Sequence, residues 1–450
     1  MSVEVSASPV SRATRPESVR ALQRVLYRSA KQDPERRFHA LFDKVARSDV
    51  MWRAWLDVRA NKGAPGVDGV SIEAIESSGE AGVQAFLEQL AAELRAGKYR
   101  PQPLRRVHIP KAGRPGQTRP LGIPTVRDRV VMAAARIVLE PVFEADFLAS
   151  SFGFRPKRSA RMAIEVIRVE ANRRGNWVLE ADIKACFDEI DHQALLAELG
   201  RRVCDRQLLK LVRCWLRAGI FEGGVVIEPG SGTPQGSPIS PLLANIALHR
   251  LDRAWQAEGR RAGMLVRYAD DFVVVCPTAA QARGAARRAA AVLAELGLSL
   301  SPEKTGIVEL TRGKEGFDFL GFHLRKVESW KWRGKWYLQR WPSARAMNSI
   351  RAKIRELTDR RYAGMPIAAA VERLNPVLRG WGNYFRHGNS ARKFAQIDGY
   401  VHERLAILAC NKHGLSGRKW ASRFNGAWLA RLGVHALQGT IGYGTAHASR

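Results

Sequence analysis

The stretch VRYADDFVVV, Val266 to Val275, constrains this chain more than any other. It sets two aspartates, Asp270 and Asp271, between two apolar runs, with Arg267 as the nearest basic residue. Runs rich in Val, Phe and Tyr favour strands, and aspartate favours the turn between them, so a hairpin with its tip at Ala269–Asp271 is predicted. Two unit charges about 4 Å apart repel by roughly 4 kcal/mol at an effective dielectric near 20. The tip is therefore either a solvated turn or a seat for something doubly positive.

A third carboxylate favours the second alternative. Asp182 ends the apolar run WVLEAD and is followed by Ile183, Ala185 and Phe187, so it too falls at a strand end beside a partly buried surface. Carboxylates at strand ends of one small sheet offer hard oxygen ligands. Mg²⁺ takes one or two of them and completes its shell with water and substrate phosphates. Two such ions activate an attacking oxygen and stabilise a leaving one, which points to phosphoryl transfer.

Composition says whose phosphates these are. The chain has 450 residues, with 73 Lys+Arg against 43 Asp+Glu and a formal charge of +30. So large a basic excess predicts a polyanionic partner, nucleic acid before a membrane surface. The five cysteines are scattered, with no CxxC and no Cys/His cluster. That suits a reducing compartment and excludes the common zinc modules. No apolar run approaches the ~18 residues of a membrane span, and the N-terminus lacks a signal-peptide core. The expected location is the cytoplasm, with no membrane partner.

Along the chain, the first twenty residues read as a flexible leader and residues 20–60 as helices. A turn cluster (Asn61–Ser71), a helix around 82–97 and a basic hairpin over Pro103–Pro124 follow. Helices are expected over 126–147, 158–174 and 279–297, with a further hairpin near 305–323. From about 343 the pattern is helical throughout. The fold class is therefore α+β followed by an all-helical domain. The expected divisions are 1–60 (leader and helical extension), 61–342, 343–412, and a basic tail over 413–450.

The motifs have a familiar order. YADD in a hairpin, preceded by ADIKACFDEIDH and GTPQGSPISPLLANI, resembles the reverse transcriptase of a bacterial group II intron, its intron-encoded maturase. IPK…TRPLGIP, SFGFRP (Ser151–Pro156), LSLSPEKT (Leu298–Thr305) and FDFLGF (Phe317–Phe322) also match, over about residues 60–325. LNPVLRGWGNYFRHG (Leu374–Gly388) resembles the maturase domain. The resemblance implies a right-hand polymerase, with fingers and an antiparallel palm sheet followed by a helical thumb. It implies an RNA-directed DNA polymerase that uses two Mg²⁺ ions and dNTPs on an RNA template and primer. It also implies binding of group II intron RNA for splicing, and of target DNA for mobility.

Carried over by that resemblance, Asp182 and Asp270 ligate both ions, Asp271 mainly one, and the backbone carbonyl of Ile183 completes a shell. Phe187 lies where the family keeps a bulky ring under the incoming sugar, which would clash with a 2′-OH; otherwise it is an ordinary core residue. Lys111 and Arg119 hold the triphosphate, as a point charge and a planar fork suit it. The turn between them, AGRPGQT, is longer than in many relatives and makes Arg114 a rival to Arg119. Gln235 lines the nascent base-pair pocket beside Gly236, which permits close backbone approach; the alternative is a plain Gly/Pro loop. Lys304 either protonates the leaving pyrophosphate or is a solvated lysine. Asp188 and Asp191 read as turn residues entering a helix at His192.

Three segments face nucleic acid or solvent. ESWKWRGKWYLQRW (Glu328–Trp341) interleaves Trp residues with Lys331, Arg333 and Lys335, which supplies phosphate neutralisation and stacking, or else is a hairpin with a packed aromatic face. Arg351, Lys353 and Arg355 lead a helical segment whose stripe from Ile367 to Phe385 is bundle core. The tail, with Lys412, Arg418, Lys419, Arg423 and Arg431, loosely resembles the family's DNA-binding region. The chain ends without the Cys pairs and clustered His of the HNH endonuclease that many relatives append, so it is not expected to nick the second target strand itself. Two other readings stay open. One is a domesticated reverse transcriptase serving defence or repair. The other, against which the intact carboxylates count, is a splicing factor that binds RNA without polymerising.

Overall fold

In chain order the strands are β1 (Leu104–Pro110), β2 (Thr118–Ile123), β3 (Trp177–Asp182), β4 (Ile220–Glu222), β5 (Val225–Ile227) and β6 (Met264–Tyr268). Then come β7 (Asp271–Cys276), β8 (Gly306–Glu309), β9 (Gly316–Phe319), β10 (Phe322–Glu328) and β11 (Trp336–Pro342). This computed structural model describes residues 14–110, 116, 118–228, 230–258, 261, 263–415 and 423–442. The strands form three sheets, ordered β2-β1-β4-β5, β6-β7-β3-β8 and β11-β10-β9.

The sheet β6-β7-β3-β8 explains why VRYADDFVVV lacks an apolar/polar alternation. Side chains alternate between faces along a strand. Leu179, Ala181, Phe272, Val274 and Cys276 pack on one face with the helices Val126–Glu144, Ser240–Glu258 and Ala279–Ala294. Val178, Val266, Val273 and Val275 pack on the other with the helix Ala160–Arg173. Both faces are covered, so both must be apolar. Along the second face the β3–β7 register pairs Val178 with Val275, Glu180 with Val273, and Asp182 with Asp271. The strands thus run from a buried apolar end to an acidic open end.

After β11 the chain is helical, in Ala344–Leu357, Ile367–Phe385 and Ala391–His413. Val371, Leu374, Leu378 and Phe385 are buried in the second core together with Phe317, Phe319 and Phe322. A mixed α+β domain therefore shares a core with the helical domain that follows it. Among the described residues no helix is long and apolar enough to cross a membrane.

Two local expectations differ from the structure. A helix begins at Thr14, inside the expected leader, because Val19, Leu22 and Leu26 have a core to enter; residues 1–13 lie outside the described residues. The segment 305–323 is not one hairpin. β8 pairs with β3, while β9 turns into β10, because the edge of β3 offers Trp177–Glu180 as partners.

The acidic end is held by a buried ion pair. Arg267 and Asp252 both have fully buried side chains, and Arg267 Nη2 meets Asp252 Oδ2 at 2.5 Å. The guanidinium also donates to the Ala269 carbonyl (3.0 Å), Asn245 Oδ1 (3.0 Å) and Ser151 Oγ (2.9 Å). Ala269 has φ +58°, a left-handed conformation costly for a residue with a Cβ. The chain Ser151–Gly153 runs against this turn: Phe152 N–H donates to the Arg267 carbonyl at 2.9 Å, and a Cβ on Gly153 would fall 2.3 Å from Ala269 N. Burial opposes ionisation of Asp252, but the Arg267 charge and hydrogen bonds outweigh it and hold the carboxyl at about 2. Asp252→Ala should therefore lower stability by about 3–5 kcal/mol, the cost of stranding a buried charge. Urea unfolding reads this directly, and a loss under ~1 kcal/mol would mean the freed Arg267 finds water.

Candidate active site and nucleic-acid surfaces

Asp182 and Asp271 are cross-strand partners at the open end of β3 and β7, and their side chains share a hydrogen bond. Asp270 sits between β6 and β7 in the turn that Arg267 braces. Ile183 continues β3 and bridges Leu300. Lys184 N–H donates to Ser299 and Ser301 N–H to Asp182, so the Ile183 backbone faces away from Leu300. Its own N–H reaches the Asp270 carbonyl at 3.4 Å, which turns the Ile183 peptide towards the carboxylates. Lys304 Nζ lies 2.5 Å from Asp182 Oδ2. The lysine is thus no free surface group; it is the counter-charge of Asp182.

Phe187 is half-buried against the first core, in the short helix Cys186–Glu189. The loop carrying Gln235 is tied to this same turn. Thr233 N–H donates to the Phe187 carbonyl (2.5 Å) and Gly232 N–H to Ile190 (2.8 Å), while Gln235 Nε2 donates to Asp188 Oδ2 (2.7 Å). Gly232, at φ +90°, has Asp188 backbone atoms 2.6–2.8 Å from where a Cβ would stand. Gly236, at φ +104°, lets the loop approach β2, and Gly122 N–H donates to the Gln235 carbonyl at 2.7 Å. A side chain at either position would push the loop off its neighbours.

Arg119 is exposed on β2, opposite Ile109, and its charge acts on both Asp188 and Asp270. Lys111 and its neighbour Arg114 lie outside the described residues. Asp191 enters the helix His192–Gly200, as expected, and also caps it, accepting from Ala194 N–H at 2.7 Å. Asp188 is more than a turn residue: it holds Gln235 and stands near Arg106 and Arg119. Sequence reasoning missed it because its partners come from two other elements.

The β10–β11 tip separates the tryptophans. Trp330 and Trp332 are exposed, at 96% and 52%, while Trp336 is half-buried and Trp341 lies against His323. Lys331 and Lys335 sit 5.1 and 5.7 Å over the Trp332 ring, and Arg333 is exposed beside them. On the helix Ala344–Leu357, Arg355 is exposed and Arg351 half-buried, but Lys353 is paired with Glu356 at 2.9 Å. Of the tail, Arg418 and Lys419 lie outside the described residues.

Residues 109–324 match the family model "Reverse transcriptase (RNA-dependent DNA polymerase)", and residues 347–425 match "Group II intron, maturase-specific domain". Protein YkfC of Escherichia coli strain K12 is 34% identical over 346 residues, covering 68% of this chain and 88% of that one. The group II intron-encoded protein LtrA of Lactococcus lactis subsp. cremoris is 38% identical over 216 residues, covering 48% of this chain and 35% of its own length. A chain of a partial Cas6-RT-Cas1–Cas2 complex aligns over 53% of this chain and 38% of its own, at 26% identity and a TM-score of 0.36. This chain belongs to the group II intron reverse transcriptase/maturase family. Its mixed α+β part contains a reverse transcriptase domain, and a maturase domain lies in the helical part.

Reverse transcriptases use divalent metal ions, and the carboxylate end of this one suits them. Low-polarity surroundings, the hydrogen bond with Asp182 and the charges of Asp270 and Asp182 push the Asp271 carboxyl up to about 8. Asp271 itself is reached by solvent, which tempers the first of these causes; the neighbouring carboxylates sustain the direction. Burial and the Asp182 charge raise Asp270 as well. One step back on the same face, burial and Asp318 push Glu180 up to about 7. Among the described residues no three His, Cys, Asp or Glu side chains form a ready cage. The carboxylates at this strand end supply hard oxygen donors of the kind a divalent cation takes, the rest of its shell coming from water and phosphate.

A raised folded-state pKa means that stability is lost as pH rises from the unfolded value, near 3.9, through about 8. In metal-free enzyme, Asp271→Asn should raise Tm by an amount that grows with pH across this window. Added Mg²⁺ at pH 8 should stabilise the parent chain more than the variant. Parallel Tm–pH curves for the two proteins would show that Asp271 carries no such strain.

Proposed function

We propose that this chain is an RNA-directed DNA polymerase of right-hand form, extending a primer on an RNA template with dNTPs, and that it also binds group II intron RNA to assist splicing and mobility. The observation that carries the reading is the Asp182–Asp271 pair, with Asp270 in the braced turn beside it. Fingers and palm extend over 61–342, the thumb or maturase domain over 343–412, and the tail over 413–450 contacts target DNA. The compartment is the cytoplasm.

Two Mg²⁺ ions, when bound, lower the charge on the attacking 3′-oxygen and on the leaving pyrophosphate. Asp182 and Asp270 would hold both ions and Asp271 mainly one, with the Ile183 carbonyl beside them. Lys304 balances Asp182 in the unloaded site; once cations take that role, its ammonium can donate a proton to the leaving group. Arg119 and Lys111 orient the triphosphate from the fingers hairpin. Phe187 supports the sugar from below, and its half-buried seat on the core keeps the ring from yielding to a 2′-OH. Gln235, held by Asp188, faces the nascent base pair. At the β10–β11 tip Trp330 and Trp332 offer stacking surfaces among Lys331, Arg333 and Lys335. Intron RNA lies on the helix of Arg351, Lys353 and Arg355, where Lys353 contributes less than its neighbours because Glu356 neutralises it.

Asp270→Ala with Asp271→Ala should end Mg²⁺-dependent cDNA synthesis yet leave intron splicing largely intact. Neutralising Arg351, Lys353 and Arg355 should weaken intron RNA binding and flatten its log–log salt dependence by roughly 0.7 to 0.9 for each phosphate no longer neutralised. Primer extension, RNA binding over a salt series and splicing at near-physiological Mg²⁺ read the three effects. If the carboxylate variant loses splicing as completely as polymerisation, one site serves both activities and the reading is wrong.

Phe187→Ala should raise rNTP incorporation while costing less in dNTP use, measured by single-nucleotide extension with each type. Equal losses with both would return Phe187 to a packing role alone.

A further inference from the structure

The helix Arg206–Leu216 buries Leu208, Leu211, Val212, Trp215 and Leu216. Trp215 Nε1 donates to the Tyr99 hydroxyl at 3.2 Å, which fixes the helix against the segment leading into β1. Arg206, Lys210, Arg213 and Arg217 recur on its outer side at helical spacing, and all four are exposed. At ~1.5 Å per residue this row is about 16 Å long. Some arginines elsewhere meet carboxylates, as Arg59 meets Glu76, Arg127 meets Glu93 and Arg253 meets Glu198. Among the described residues none of the four in this row has an acidic partner.

The row edges a cavity of about 840 Å³ whose floor is apolar, built from Pro101, Pro103, Leu209 and Ala218. Arg100 stands on the same cavity, its guanidinium steadied by the carbonyls of Gly97 and Tyr99. A second cavity of about 460 Å³ shares Arg213 and Arg217 and extends to His192. The His192 ring nitrogen Nε2 lies 2.7 Å from the Gly232 carbonyl, in the loop that carries Gln235. At its other end, Arg100–Pro103 runs into β1, the partner of the strand bearing Arg119. The groove contains none of the carboxylates, yet it abuts both elements that frame the nucleotide site.

We propose that this groove binds unpaired RNA, namely the template strand that has not yet been copied. Its phosphates lie along Arg206, Lys210, Arg213 and Arg217, and its bases rest on the Pro101, Pro103 and Leu209 floor. A duplex would present its phosphates to the same cations but keep its base faces stacked inside, away from an apolar floor. A single strand uses both features, because charge tracks its backbone while exposed base faces seek apolar surface. The proposal rests on the reading of this chain as an RNA-templated polymerase, and deepens it by giving the incoming strand a path.

The test uses the full chain and two primer–templates, one with a 2-nucleotide and one with a 12-nucleotide 5′ RNA overhang, chosen as about the shortest and longest the groove would distinguish. The substitutions are Arg206→Gln, Lys210→Gln, Arg213→Gln and Arg217→Gln together, which keep the helix and remove its charge. Affinity for the long overhang should fall roughly tenfold, with a salt slope lower by about 0.7 for each phosphate released, while the short overhang binds as before. Unchanged affinity for the long overhang overturns the proposal. An equal loss on both templates also overturns it, since the groove would then hold duplex. A second measurement needs no substitution. Cys214 is half-buried on the cavity wall, so its alkylation by iodoacetamide, followed by peptide mass, should slow with the long overhang and not with the short one. Equal rates with both overhangs would count against the groove even if the substituted chain failed to fold. If neither chain extends a primer, it is the polymerase reading that fails; if both extend and bind overhangs alike, the groove alone fails.

Discussion

The Arg267–Asp252 pair has no solvent on either side, and it is the interaction on which the geometry of the carboxylate turn depends. Burying two charges costs several kcal/mol per ion, and a well-packed apolar pair of similar volume is often as stable or more so. An apolar pair would fill the space but could not bond the Ala269 carbonyl, Ser151 or Asn245. Those bonds hold a non-glycine residue in a left-handed turn, and that turn aims Asp270. Asn245 and Asp252 both come from the helix Ser240–Glu258, and Asn245 Nδ2 also donates to the Gly153 carbonyl. One guanidinium therefore joins the SFGFRP segment, that helix and the YADD hairpin. The stability lost by burying charge is offset by a single allowed position for the carboxylates.

Much of this was legible in the sequence wherever the signal was local. Strand propensity on both sides of Asp270–Asp271 and the apolar run before Asp182 predicted two strand ends, and β3 and β7 pair Asp182 directly with Asp271. The stripe from Ile367 to Phe385 has a helical period, and its members are buried or half-buried in the second core. Contacts between distant segments were not legible. Nothing in LANIALHRLDRAW marks Asp252 as a buried partner rather than a solvated acid. Asp188 looked like a turn residue because Gln235, which gives it a task, lies 47 residues further on. The Lys353–Glu356 pair is different: its three-residue helical spacing was there to read, and it discounts one of the cations assigned to RNA.

The carboxylate end of the sheet and the helical domain are joined through one core, which limits how independently they can move. The face that ends in Asp182 and Asp271 begins at Val178 and Val275, which belong to the same core as Leu374 and Phe385 of the helical domain. The β9–β10 turn makes the link closer. The Phe322 and Phe385 rings lie 4.8 Å apart, Tyr384 donates its hydroxyl to the Leu320 carbonyl at 2.8 Å, and a Cβ on Gly321 would rest 3.5 Å from Phe385. Such close packing transmits displacement rather than absorbing it.

On the proposed reading, polymerisation and intron binding separate by charge but not by mechanics. Removing the carboxylates changes the charge at one end of the sheet and leaves the apolar core that seats the helical domain. Removing exposed cations from the helical domain changes a surface and leaves the carboxylates paired. A change in the shared core does neither cleanly, because shifting Phe385 shifts the Phe319–Phe322 turn, which lies on the same side of the sheet as Glu180 and Asp182. A displacement of the helical domain would thus reach the β9–β10 turn through packing, and with it Asp318, whose charge acts on Glu180.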